Sequence, residues 1–173
     1  MPKPPPIPEL DFIKLTSNHA EFGAKLTKLA ISSTAYGGYA EHVGDCWFRL
    51  AEEHLREADV AARGNCPRSA FSRAYYAAYN ASKAMRYMVN GIVSLKGDDH
   101  GKAAVDLPTD MPNAATWSQN ITMLYEHRLR ADYDNWQGSA SQNTLLPTQA
   151  VQTARDFVDA TKSYLTQKFG MVL

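Results

Sequence analysis

The segment LYEHRLRADYDNW, Leu124 to Trp136, holds the side chains whose types and spacing are best suited to chemistry. Trp117, Ile121 and Leu124 follow one another at helical spacing, and the next step along that stripe lands on Arg128. A guanidinium stays charged at any accessible pH, so on a face that must be packed it needs a counter-ion. Asp132 stands one turn further on, where it can pair with Arg128, and Tyr133 follows at the helix end. Such an arginine has two uses. Paired with Asp132 it fixes packing or a subunit seam; held in a crevice between helices it grips a phosphate.

Other candidates surround this one. His100 falls in an expected loop beside Lys96 and Lys102, which together make a small cationic site. His127 adjoins Arg128 in sequence but points about a quarter-turn away on a helix. Arg73 and Lys83 lie on a long apolar helix, from which they either reach a groove or extend along the surface. His54, set among Glu52, Glu53, Arg56 and Glu57, reads as part of a solvated face. No histidine pair at i, i+4, no P-loop, no GxGxxG and no nucleophile elbow is present, so metal, nucleotide-fold and hydrolase readings lack support and no cofactor is expected. Cys46 and Cys66 form no CxxC and are expected as free thiols.

Lys+Arg and Asp+Glu are both 18, so no overall field draws in nucleic acid or an anionic membrane, and any such contact must be a local patch. The start, MPKPPPIPEL, has no apolar signal core, and no run is long enough to span a bilayer. A soluble, cytoplasmic protein is expected.

The elements that must position these residues are helical. The stretch Cys66 to Gly91 places Phe71, Ala74, Tyr75, Ala78, Ser82 and Met85 on one stripe, with Ala70, Ala77, Ala81, Ala84 and Met88 beside it. A helix apolar over most of its circumference is a central helix, and its alanines let neighbouring backbones come close. Pro67 marks its first turn and Asn90-Gly91 its end. Before it, Trp47, Ala51, Leu55, Ala58 and Ala62 predict a helix from about Ala40 to Arg63, closed by Gly64. The turn between the two is so short that they must pack as an antiparallel hairpin.

After Gly91 a loop through His100 leads to at most a brief helix within Gly101 to Leu107, ended by Pro108 and Pro112. A long helix is predicted from Ala114 to about Tyr133, then a polar loop from Asn135 to Pro147. Ala150, Val151, Ala154, Phe157, Val158, Thr161, Tyr164 and Leu165 define a closing helix. The fold class expected is all-α, an up-and-down bundle of four long helices plus a short fifth over residues 40–173. Residues 1–39 form an arm: a proline-rich lead, a short amphipathic helix from Asn18, and a break over Ser32 to Tyr39 at Gly37-Gly38.

Leu50 to Met85 resembles the helical hairpin of the HEPN domain family, in particular a small prokaryotic branch with an A-x-x-x-L-x-x-A helix followed by S-R-x-Y-Y-A-x-Y-x-A-x-K-A. Lys96 to His100 is similar to that branch's K-x-H segment, and Arg128 to Tyr133 to its R-x-x-A-D-Y signature. The resemblance spans about Ala40 to Leu165. It implies a helical bundle that commonly dimerises with the motif helices of two protomers facing one another. It also implies metal-independent RNase activity in toxin–antitoxin or defence systems, through an arginine followed four to six residues later by a histidine. Other members are encoded beside a minimal nucleotidyltransferase, a possible partner protein here.

Arg128 matches the family's arginine, while Tyr133 stands where the histidine would. A phenol with a pKa of about 10 is poorly tuned as a base, so a base would have to come from His100 or His127. The candidate catalytic set is therefore Arg128, Asp132, Tyr133 and His100, and the candidate nucleotide or RNA contacts are Arg128, Arg73, Lys83 and Lys96. Three functions follow: a module binding nucleic acid or a nucleotide, a metal-independent RNA endonuclease, and a dimeric scaffold without catalysis.

Overall fold

A computed structural model describes residues 33–90, 99–134 and 144–173. The proline-rich lead, the helix expected from Asn18, Lys96 and most of the polar loop after Asn135 lie outside the described residues. Five helices follow in order: α1 (Ser33–Arg63), α2 (Pro67–Asn90), α3 (Asp99–Val105), α4 (Ala114–Tyr133) and α5 (Pro147–Phe169). Four are long and α3 is short, and no strand occurs among the described residues, as the apolar spacing predicts.

The α1–α2 hairpin turns on Asn65, whose φ of 55° places it in the left-handed region that asparagine tolerates better than most residues. Pro67 then opens α2, where its missing N–H is no loss. Every apolar position predicted for α2 is buried, and α2 packs against each of the other four helices. It is the core of the bundle. Its small residues permit this: Ala70, Ala74, Ala77, Ala78, Ala81 and Ala84 leave essentially no surface exposed, so neighbours come within backbone reach. Gly44 of α1 serves the same end, because a Cβ there would stand 2.9 Å from Met88 Sδ and 3.2 Å from Met171 Cε.

α5 starts at Pro147, with Gln149 Oε1 accepting the Leu146 N–H at 2.8 Å, and it buries the eight residues of its predicted stripe. Its far end is tied to the segment after α3, where Tyr164 donates to Asp110 at 2.7 Å.

Two expectations are corrected. The break over Ser32 to Tyr39 does not occur, since α1 runs from Ser33 straight through Gly37 and Gly38. Each glycine costs a helix about 1 kcal/mol, and burial of Ala40 and Val43 on the same helix outweighs that local preference. His100 is not in a loop either; it sits in the first turn of α3, which begins at Asp99.

Candidate functional site

Successive turns of α2 hold the candidate residues in order. At its start Arg68 donates to the Asp134 carbonyl at the end of α4. One turn on, Ser72 Oγ lies 3.5 Å from Asp132 Oδ2, and one turn further Tyr76 Oη accepts from Arg128 Nη2 at 2.9 Å. The pairs run in opposite directions along the two helices, so α4 lies antiparallel to α2 and its motif end is fixed to the start of α2. Next come Tyr75 and Tyr79, which hold His100, and last Lys83 and Arg86, which hold Asp99.

Arg128 is 8% exposed, so the continued stripe does place a charge in the packed face. Its counter-ion is the one expected: Asp132 Oδ2 stands 2.7 Å from Nε. That oxygen lies off the N–H direction, so the contact is a close ion pair while the buried Nε–H has no hydrogen-bond acceptor. Nη2 reaches Tyr76 Oη and, at 3.5 Å, Tyr133 Oη. The guanidinium also lies over both rings, 5.4 Å from the Tyr76 centroid and 5.2 Å from that of Tyr133. Burial opposes its charge, but Tyr76, Asp132 and Tyr133 more than offset this and raise its pKa. Tyr133 itself is 70% exposed, so the fork has a buried side and an open side.

His100 belongs to the same face. Its ring stacks on Tyr79 at 4.5 Å and lies 6.0 Å from Tyr76, whose hydroxyl carries Arg128. Tyr75 Oη is 2.8 Å from His100 Nδ1, and Tyr125 of α4 completes the aromatic cluster. Burial, then the charges of Arg128 and Lys83, hold His100 below the usual histidine pKa against the opposing pull of Asp99.

Beneath His100 lies a buried ionic cluster. Arg86, 2% exposed, grips Asp99 with both terminal nitrogens at 2.9 and 2.8 Å, and its Nε donates to Ser82 Oγ at 3.1 Å. Ser82 in turn donates to the Ala103 carbonyl at 2.7 Å, so the cluster clamps both ends of α3. Lys83 stands 3.8 Å from Asp99 and 4.4 Å above the Trp47 ring. Burial lowers the Lys83 pKa, whereas Asp99, which burial alone would raise, is held low by Arg86 and Lys83.

A family model for the HEPN domain matches residues 45–164. The chain belongs to the HEPN domain family. No curated protein matches it. In this HEPN chain Arg128 and His100 both contact Tyr76, although they stand 28 positions apart in the sequence.

The remaining expectations divide. Lys83 neither lines an open groove nor snorkels; it is 5% exposed and spent on Asp99, Tyr79 and Trp47. Arg73 is on the surface, bridging Glu57 at 3.2 Å and His54 Nδ1 at 3.2 Å. His54 is not part of a solvated face: its side chain is 15% exposed and its ring lies 5.6 Å from Tyr76, on the flank of the Arg128 site. His127 turns the other way, stacking on Phe71 at 5.2 Å with Nε2 3.2 Å from Thr144 Oγ1, so it is a core residue. Arg86 and Asp99 are the residues sequence reasoning passed over, and Tyr75 and Tyr76 entered it only as packing or motif positions. The signal available was a second cation, Arg86, one residue beyond the buried Met85 on a helix with almost no solvated face.

A cleft of about 560 Å³ lined by Val89, Asn90, Asp106 to Asp110 and Lys168 contains none of these residues. Among the described residues no group of three or more His, Cys, Asp or Glu is placed to hold a metal ion, and no helix is long and apolar enough to cross a membrane.

Proposed function

We propose that this HEPN chain is an RNA-binding module that grips a backbone phosphate through Arg128, with His100, Tyr76 and Tyr133 around the same oxygen-accepting face. The observation that carries the reading is the state of the Arg128 fork. Its position is fixed by Tyr76 at Nη2 and by the Asp132 carboxylate at Nε, while Nη1 has no acceptor among the described residues. A cation used only to staple helices would have its donors satisfied. One that receives a phosphate keeps some in reserve, and the neighbouring aromatic rings offer bases a stacking surface.

A second reading, the metal-independent ribonuclease, is favoured by one observation: the His100 ring lies 6.0 Å from that of Tyr76, whose hydroxyl carries Arg128, which brings an imidazole to the cation's side of the cluster. To act as the base that Tyr133 cannot be, it would have to expose a bare nitrogen. A homodimer suits either reading. HEPN domains commonly dimerise, and the 70% exposed Tyr133 leaves the open side of the fork for a ligand or a second protomer to cover. A toxin–antitoxin or defence setting with a nucleotidyltransferase partner is the biological frame in which such a module would work.

The test is fluorescence anisotropy with a labelled single-stranded RNA at fixed salt. Arg128→Ala should weaken binding by roughly tenfold to hundredfold, the worth of a charge-assisted hydrogen-bond pair, and Arg128→Lys should restore only part of it. An alanine variant that binds like the wild type while melting at lower temperature would establish a scaffold instead. RNA cleavage that persists in chelator and disappears in His100→Ala would establish the ribonuclease.

A further inference from the structure

The hydroxyl of Tyr75 decides which nitrogen of His100 carries the proton. Tyr75 is fully buried and its Oη has one hydrogen-bond partner among the described residues, His100 Nδ1 at 2.8 Å. Two arrangements fit that distance: Tyr75 donates to a bare Nδ1, or Nδ1–H donates to Tyr75. In the second, the Tyr75 proton would be left in a dry aromatic cluster without an acceptor. A buried hydroxyl in that state is strongly disfavoured, so the first arrangement holds. Burial, followed by the nearby hydroxyls of Tyr79 and Tyr125, raises the Tyr75 pKa well above that of a free phenol, so its proton is present at every physiological pH. With Nδ1 serving as acceptor, a neutral imidazole must carry its hydrogen on Nε2.

We propose that Tyr75 is a positioning residue that locks His100 as the Nε2–H tautomer, making His100 a second N–H donor beside Arg128 for a phosphate oxygen of bound RNA. The role rests on the RNA-binding reading above; the tautomer does not. Nε2 has no partner among the described residues, and Arg128, whose Nη1 has no acceptor there, lies across Tyr76 from it, so the two groups offer hydrogens and no free lone pair. A general base at Nε2 needs the opposite tautomer, with Nδ1–H held by an acceptor such as a carbonyl or carboxylate. Tyr75 is the wrong partner for that task. The charged groups acting on His100 are Arg128, Lys83 and Asp99, and none of them is hydrogen-bonded to either ring nitrogen.

The experiment is long-range ¹H–¹⁵N correlation spectroscopy on the full chain labelled in histidine, at alkaline pH where the imidazoles are neutral, with His100 assigned by the signal lost in His100→Gln. The expected result is a pyrrole-like Nε2 and a pyridine-like Nδ1 for His100 in the wild type. Tyr75→Phe, which removes one oxygen and keeps the ring, should give a mixture of both forms. It should also weaken binding of a short single-stranded RNA by about threefold to tenfold, the worth of one misdirected hydrogen bond. A pyridine-like Nε2 in the wild type overturns the proposal without any variant having to fold. A shifted tautomer in Tyr75→Phe with unchanged RNA affinity overturns the donor role. Absence of RNA binding by the wild type overturns the RNA-binding reading and the donor role together, and the nitrogen spectrum still decides the tautomer.

Discussion

Removing the Asp99 carboxylate should damage the protein more than any other single change near the site. Asp99 is fully buried, accepts two hydrogen bonds from Arg86 at 2.9 and 2.8 Å, and has Lys83 at 3.8 Å. Asp99→Ala leaves both cations in the interior without a counter-ion. Breaking a buried pair in this way costs about 3–5 kcal/mol, a large share of a total stability of about 5–15 kcal/mol. For a chain of this length that is a fall in Tm of about 6–20 °C. The loss has a pH signature. Asp99 is held below the ordinary carboxylate pKa, so its contribution is complete above about pH 4, the unfolded value, and fades as pH falls through the lower folded value. Wild type and Asp99→Ala should therefore converge in strongly acidic solution.

The cost comes from stranded charges rather than from lost contacts, so Asp99→Leu combined with Arg86→Met and Lys83→Met should be markedly more stable than Asp99→Ala alone. Urea unfolding at several pH values reads all of this. A loss below about 1 kcal/mol at neutral pH, or a triple variant no better than the single one, would refute the reasoning.

Other outcomes are equally specific. Asp132→Asn removes the carboxylate that competes with phosphate for Arg128, so RNA should bind about threefold to tenfold more tightly; weaker binding would make Asp132 an aligning partner. Arg128→Gln should raise the His100 pKa towards the ordinary histidine value in an NMR titration, though only partly, because burial is the larger cause of its depression. Gly44→Val should destabilise the bundle by about 1–3 kcal/mol as Met88 and Met171 are displaced, and Gly38→Ala, whose Cβ meets nothing within 4 Å among the described residues, should be neutral or stabilise α1 by up to about 1 kcal/mol; thermal melts compare the two.

What the sequence determined by itself is the order of the described helices and most of the faces they bury. The stripe from Ala150 to Leu165 is buried residue for residue, and α2 was legible as the centre from its alanines, because helical spacing is a local property that apolar burial then enforces. Arg128 was legible for the same reason: a charge out of place on an apolar stripe is visible without any structure, and its partner lies one turn away. The HEPN resemblance rested on these same local patterns.

What only the tertiary structure decided is every relation that crosses between helices. Lys83 reads as a cation at a groove or on the surface, and Arg86 draws no reading at all, until Asp99, nine positions beyond the end of α2, pairs with both. His54 looks solvated among its acidic neighbours until Tyr76 of α2 covers it, and His127, one residue from Arg128, proves to face Phe71 instead. The glycines at 37 and 38 read as a break, and the packing of the turns that follow carries the helix through them. In each case the deciding partner lies on another element, or the deciding burial is created by one. Helical spacing says which side a residue is on; which neighbour occupies that side is settled when the helices dock.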